Sequence, residues 1–135
     1  MNVLVDTCIW ARSLRIKPAL HDPLVEEMGR LSESGRVRII GAIRQEILSG
    51  AAPSARFEAL KIQLQSFPDL LLEREDYERT AAFYNLCRSK GVQASNTDFL
   101  ICSAAVRHRT PIFTTDNDFS HIARLLSIPL HVTGD

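Results

Sequence analysis

The chain has 135 residues, 45% of them hydrophobic, enough for one buried core and too few for two ordinary domains, so residues 1–135 read as a single domain. Sixteen basic residues balance sixteen acidic ones, which excludes attraction of a phosphate backbone by overall charge and leaves only local contacts for that purpose. Thirteen of the positives are arginine, a bias that suits bidentate recognition of phosphate or carboxylate.

The elements follow in chain order. Residues 3–5 form a short apolar run without polar alternation, the pattern of a strand buried on both faces, and Asp6 ends it. After Asp22 and Pro23, the apolar residues Leu24, Val25, Met28 and Leu31 keep helical spacing, with Asp22 as N-cap and Gly35 as terminator. Residues 37–40 predict a second strand, 42–48 a short helix stopped by Gly50, and Ser54 caps a helix running to about Gln65. Residues 70–72 form a weak third strand, followed by a helix to Lys90 whose face carries Tyr77, Ala81, Tyr84 and Cys87. The segment Ser95-Asn96-Thr97-Asp98 caps a mostly apolar helix ending near His108. Residues 112–114 predict a fourth strand, 117–126 a helix, and 130–132 a fifth strand after Pro129. This alternation implies an α/β fold in which a parallel sheet is covered by helices on both faces.

Cys8, Cys87 and Cys102 have neither zinc-site spacing nor the density of a disulfide framework, so they read as reduced thiols of a cytoplasmic protein. The start of the chain lacks a signal-peptide pattern, and no apolar run approaches the roughly 18 residues that span a bilayer, so no membrane association is expected.

Ligands of open parallel sheets bind beyond the carboxyl ends of the strands, where strand order reverses. Asp6 directly follows the first strand and Asp116 lies two residues past the fourth, and in a 3-2-1-4-5 order these strands flank the reversal. Glu46 sits in the helix after the second strand, and Asp98 opens the helix that runs back into the fourth, so four acids meet at one edge. Two like charges about 4 Å apart repel by about 4 kcal/mol at an effective dielectric near 20, so such a group needs a cation or protons. Oxygen-only ligands suit Mg²⁺ or Mn²⁺, whose chemistry with a bound water is phosphodiester hydrolysis.

The motifs Val-Asp-Thr-Cys-Ile-Trp at the start, Glu46-Ile47-Leu48 with Gly50, Asp98-Phe99-Leu100-Ile101, and Thr114-Thr115-Asp116-Asn117-Asp118-Phe119 resemble the successive motifs of PIN domains. Their order and the compact length are most similar to VapC-type toxins of toxin–antitoxin pairs. The resemblance implies a five-stranded parallel sheet, Mg²⁺ or Mn²⁺ dependence, endonucleolytic cleavage of single-stranded RNA, a homodimer, and neutralisation by a cognate VapB-type antitoxin. Carried over by residue, it implies an acidic quartet of Asp6, Glu46, Asp98 and Asp116, with Asp118 as an additional acid. Asp6, Asp98 and Asp116 are then the metal ligands, directly or through water. Glu46 either holds the metal-bound water or acts as general base, and Asp118 helps from outside the ligand set or at a second metal. Thr115 is expected to orient a carboxylate or the nucleophilic water, and Cys8 stands where Ser or Asn is common in the family.

Each acid alone has an ordinary explanation as a helix cap, a first-turn acid or a solvated helix residue. Their joint occurrence in order favours chemistry. Asp116-Asn117-Asp118 is no calcium loop, because His121 and Ser127 stand where Gly and Glu are needed. Trp10 reads as core packing before a nucleobase stack, and His108, His121 and His131 as capping or surface residues. Arg12, Arg15 and Lys17 follow the first acidic motif and are candidate phosphate contacts, with a solvated helix face as the plainer reading. Alternatives to a toxin are a housekeeping nuclease and a non-catalytic interaction module on the same fold. A receiver domain lacks its Lys at residues 131–133, and an aspartate-nucleophile phosphatase lacks a second Asp at Cys8.

Overall fold

The computed structural model describes residues 1–15 and 20–133, so Lys17 lies outside the described residues. Strand β1 (Val3–Val5) is central, with β2 (Val37–Arg38) and β3 (Ile112–Phe113) on either side and parallel to it, in the order β2-β1-β3. Val3 faces Val37, and Leu4 lies between Arg38 and Ile112. All of β1 is buried, as expected for an apolar run covered on both faces.

The expected five strands reduce to three among the described residues. The outer two appear as single parallel bridges, Asp69 to Ile39 and Leu130 to Ile112, which keep the expected order 3-2-1-4-5. The reason is chemical. Each bridge makes two hydrogen bonds: Ile39 N–H to Pro68 O and Leu70 N–H to Ile39 O on one side, Ile112 N–H to Pro129 O and His131 N–H to Ile112 O on the other. The next bond toward the N-terminus would need an N–H from Pro68 or Pro129, and proline has none. Toward the C-terminus, the partner chain leaves the sheet at Gly41 to enter a helix and at Thr114 to enter the acidic edge.

Seven helices occur among the described residues. They are α1 (Thr7–Ser13), α2 (Pro23–Glu33), α3 (Gly41–Leu48), α4 (Ser54–Leu64), α5 (Arg74–Ser89), α6 (Asn96–His108) and α7 (Asn117–Leu126). Asp22 caps α2 by accepting the Leu24 N–H at 3.0 Å, with Pro23 in the first turn. The short α1 has no counterpart in the apolar periodicity and is started by Asp6, whose side chain accepts the Thr7 N–H. Helix α1 packs on α2 and α3, and α3 on α4, while α5 packs on α6 and α7. Right-handed crossovers from a sheet that reverses at β1 place these two groups on opposite faces.

Trp10 is buried, donates its indole N–H to Val5 O at 3.1 Å, and meets Phe67 edge-to-face, so it is core and closed to a nucleobase. His131, expected at the surface or a cap, is also buried, with Nε2 2.9 Å from the equally buried Glu27 of α2. A stronger polar tie joins α5 to α6. Asp76 is 0% exposed and takes hydrogen bonds from Arg79 at 2.9 Å, from Arg107 Nε at 2.8 Å to both oxygens, and from the Glu73 N–H at 2.8 Å. Burial opposes the charge of Asp76, but these donors outweigh it and hold the carboxyl below its usual range.

Candidate active site

The acidic edge is built by three element junctions. The first is the end of β1, where Asp6 turns the chain into α1. The Asp6 carboxylate is 5% exposed and accepts the Thr7 N–H at 2.8 Å on Oδ1, then the Thr114 hydroxyl at 2.8 Å and the Cys8 thiol at 3.4 Å on Oδ2. The second is the start of α6, where Ser95 and Asp98 form a reciprocal capping box with both bonds at 3.1 Å. The third is the exit from β3, where Asp116 caps α7 by accepting the Asp118 N–H at 2.9 Å. Three helix N-termini, those of α1, α6 and α7, therefore turn their partial positive charge toward this edge, which offsets part of the repulsion between the acids.

Asp98, Asp116 and Asp118 each offer one carboxylate oxygen, and these oxygens all lie within 4.8 Å of one another. Neighbouring ligands about 2.1 Å from an octahedral Mg²⁺ are separated by about 3 Å and opposite ones by about 4 Å, so small side-chain shifts bring this triad into a coordination sphere. The donor set is all oxygen, which fits Mg²⁺ or Mn²⁺ and not the Cys and His sets typical of zinc. Burial raises the Asp6 pKa above the ordinary value, opposed by its hydrogen bonds and reinforced by the charge of Asp116. Burial also raises the pKa of Asp98; Ser95 opposes the shift, and the charges of Asp6 and Asp116 add to it.

The expected site residues fall as follows. Asp6, Asp98, Asp116 and Asp118 share the edge, with Asp118 inside the close triad and Asp6 beside it. Glu46 is exposed on α3 and reaches the edge through Thr7, whose hydroxyl donates to Glu46 Oε2 at 3.0 Å. Thr115 lies with its hydroxyl 3.5 Å from Cys8 Sγ, while the contact with a carboxylate expected of it is made by its neighbour Thr114. Thr114 Oγ1 also accepts the Asp116 N–H at 3.0 Å, so one hydroxyl ties Asp6 to Asp116. Cys8 keeps a polar contact despite its departure from Ser or Asn. Arg12 is drawn away to Asp22, with 3.2 Å between Nη1 and Oδ2, and Arg15 is exposed.

Thr7 and Thr114 stand within the motifs, but the motifs alone assign neither a role. The doublet Thr114-Thr115 was visible, but which hydroxyl meets Asp6 depends on the strand ending at Phe113, and periodicity does not set that point.

A search of curated protein sequences returns no match. Among solved structures, the chain superposes on a chain of VapBC-1 from nontypeable Haemophilus influenzae with TM-score 0.76, 13% identity and 100% of both chains covered. It superposes on a chain of VapBC2 from Rickettsia felis, solved bound to a DNA fragment from their promoter, with TM-score 0.74 and 17% identity over 97% of this chain and 98% of the other. FitAcB from Neisseria gonorrhoeae gives TM-score 0.73 and 15% identity over 97% of each chain. At these identities the superpositions establish a shared fold. The family model of the PIN domain matches residues 3–125, which takes in every acid of the edge, and the chain belongs to the PIN domain family.

Proposed function

We propose that the chain is a Mg²⁺- or Mn²⁺-dependent endoribonuclease that cleaves single-stranded or loop RNA, acting as one domain over residues 1–135. The observation that carries this reading is the convergence of Asp98, Asp116 and Asp118 within 4.8 Å, beside a buried Asp6. Asp98, Asp116 and Asp118 would hold the cation, with Asp6 beside them as a ligand directly or through water. A bound Mg²⁺ or Mn²⁺ supplies a water of lowered pKa and neutralises charge developing on the phosphodiester. Glu46, held by Thr7, orients the attacking water or accepts its proton. Thr114 keeps Asp6 and Asp116 in register. The test is cleavage of RNA by the purified chain with Mn²⁺ or Mg²⁺, expected to stop on addition of EDTA; undiminished cleavage in EDTA would falsify the metal mechanism.

Toxin identity is part of the same proposal, supported by superposition on chains of VapBC structures. It carries with it a cognate VapB-type antitoxin, a homodimer and a cytoplasmic setting. No helix among the described residues is long and apolar enough to cross a membrane. Expression should arrest growth, and co-expression of the adjacent gene should relieve it; growth at the normal rate points to a housekeeping nuclease instead.

Thr114→Val should lower cleavage by about 10–100-fold, the range for groups that orient metal ligands. The same change should lower stability by about 1–2 kcal/mol, since the buried Asp6 loses a donor and the Asp116 N–H loses an acceptor. Thr115→Val should do neither, and parity of the two variants in steady-state assays would refute the assignment to Thr114.

A further inference from the structure

A groove of about 540 Å³ runs along α3, the chain at residues 69–72 and the first turns of α5 and α6, with Gln45, Leu71, Tyr77 and Leu100 in its lining. It adjoins the acidic edge through the chain. Gln45 precedes Glu46 on α3, and Leu100 follows Asp98 by two residues on α6, so groove wall and acids share the same helix turns on different faces of these helices.

Its surface is unusual for this chain. Of the six Phe, two Tyr and one Trp, Tyr77 is the one exposed aromatic among the described residues, with 56% of its surface open. Leu71 beside it is 72% exposed. Gln45 is exposed, and its side-chain amide has no hydrogen-bond partner among the described residues. No Lys or Arg lines the groove among these residues, and its acid Asp69 is paired with Arg44 outside it. Such a lining does not attract phosphate. It offers a ring face, an apolar shelf and one free amide, the combination with which proteins hold unstacked RNA bases.

We propose that this groove takes a nucleobase of the RNA strand held at the acidic edge, with Tyr77 as the stacking face and Gln45 reading the base edge. The inference rests on the nuclease reading and adds to it the origin of base preference. An amide has one donor group and one acceptor, so it pairs bidentately with the N6/N7 edge of adenine, and Gln45 should favour that base.

The experiment measures binding of labelled short oligoadenylate and oligouridylate by fluorescence anisotropy in EDTA, where no cleavage is expected, alongside Mn²⁺-dependent cleavage kinetics. Tyr77→Ala should weaken binding roughly tenfold and raise KM by a similar factor with kcat within about twofold of wild type. Tyr77→Phe keeps the ring face and should bind like wild type, which separates stacking from loss of fold. Gln45→Ala should reduce the preference for oligoadenylate roughly tenfold.

If wild type cleaves RNA but Tyr77→Ala keeps wild-type binding and KM, the base-binding groove is overturned while the nuclease stands. Equal losses in Tyr77→Ala and Tyr77→Phe overturn stacking as well. A wild-type chain that neither binds these RNAs nor cleaves them in Mn²⁺ overturns both readings.

Discussion

Asp98→Asn is expected to lower RNA cleavage by more than about 100-fold, because loss of groups that merely orient metal ligands already costs about 10–100-fold. The same variant should melt a few degrees higher than wild type in EDTA. Both results follow from one geometry. Asp98 is crowded by Asp6 and Asp116, and burial together with their charges raises its pKa. A carboxyl whose folded pKa exceeds its unfolded value, about 3.9, stabilises the fold most fully below that value. Its contribution is lost as pH rises through the raised folded value. At neutral pH without metal, the ionised Asp98 is therefore a strain that asparagine removes. Asparagine keeps the cap, since its side-chain oxygen still accepts the Ser95 N–H and its own N–H still donates to Ser95 Oγ. Thermal melts in EDTA from acidic to neutral pH should show the gap between variant and wild type widening as pH rises. Full cleavage by the variant, with coincident melting curves, would remove Asp98 from the ligand set.

Asp76→Asn should have the opposite signature: unchanged chemistry and a large loss of stability. The carboxylate is fully buried and bonded to Arg79, Arg107 and the Glu73 N–H. Arg79 and Arg107 keep 30% and 29% of their side chains exposed, which relieves part of the cost, so loss of the buried charge should cost about 3 kcal/mol, the low end for a broken buried pair. For a chain of 135 residues this corresponds to a fall in Tm of about 10 °C. The pH dependence supplies an independent check. Because the folded pKa of Asp76 is lowered, its stabilisation is present above the unfolded value, about 3.9, and is lost as pH falls through the folded value. Wild type should therefore lose stability below about pH 4 more steeply than the variant. Parallel acid limbs in denaturant titrations would show that this cluster does not anchor α5 to α6.

The two aspartates show what could and could not be read from the residues. Asp98 was legible because a cap residue preceded it, an apolar helix followed it, and its motif fell at the reversal edge of an alternating β/α chain. Asp76 had none of these marks. Its role depends on Arg107, far along the chain, and no local period announces such a pair. The helices from Pro23 onward were legible for the same reason as Asp98, through caps, glycine terminators and spacing. The outer strands were legible as apolar runs in the correct order. Their reduction to single bridges turned on which N–H proline removes, a matter of register between distant segments. Thr114 in place of Thr115, and His131 in the interior, depended likewise on where a neighbouring segment ends.

The brevity of the sheet borders has a further outcome. A long unpaired strand edge is a template on which another copy of a chain can build, the first step toward fibres. Here each border is a single bridge residue long, Asp69 on one side and Leu130 on the other, with no regular strand around it. Such short borders give an added strand little regular backbone to pair with, one of the ways in which sheets blunt their edges.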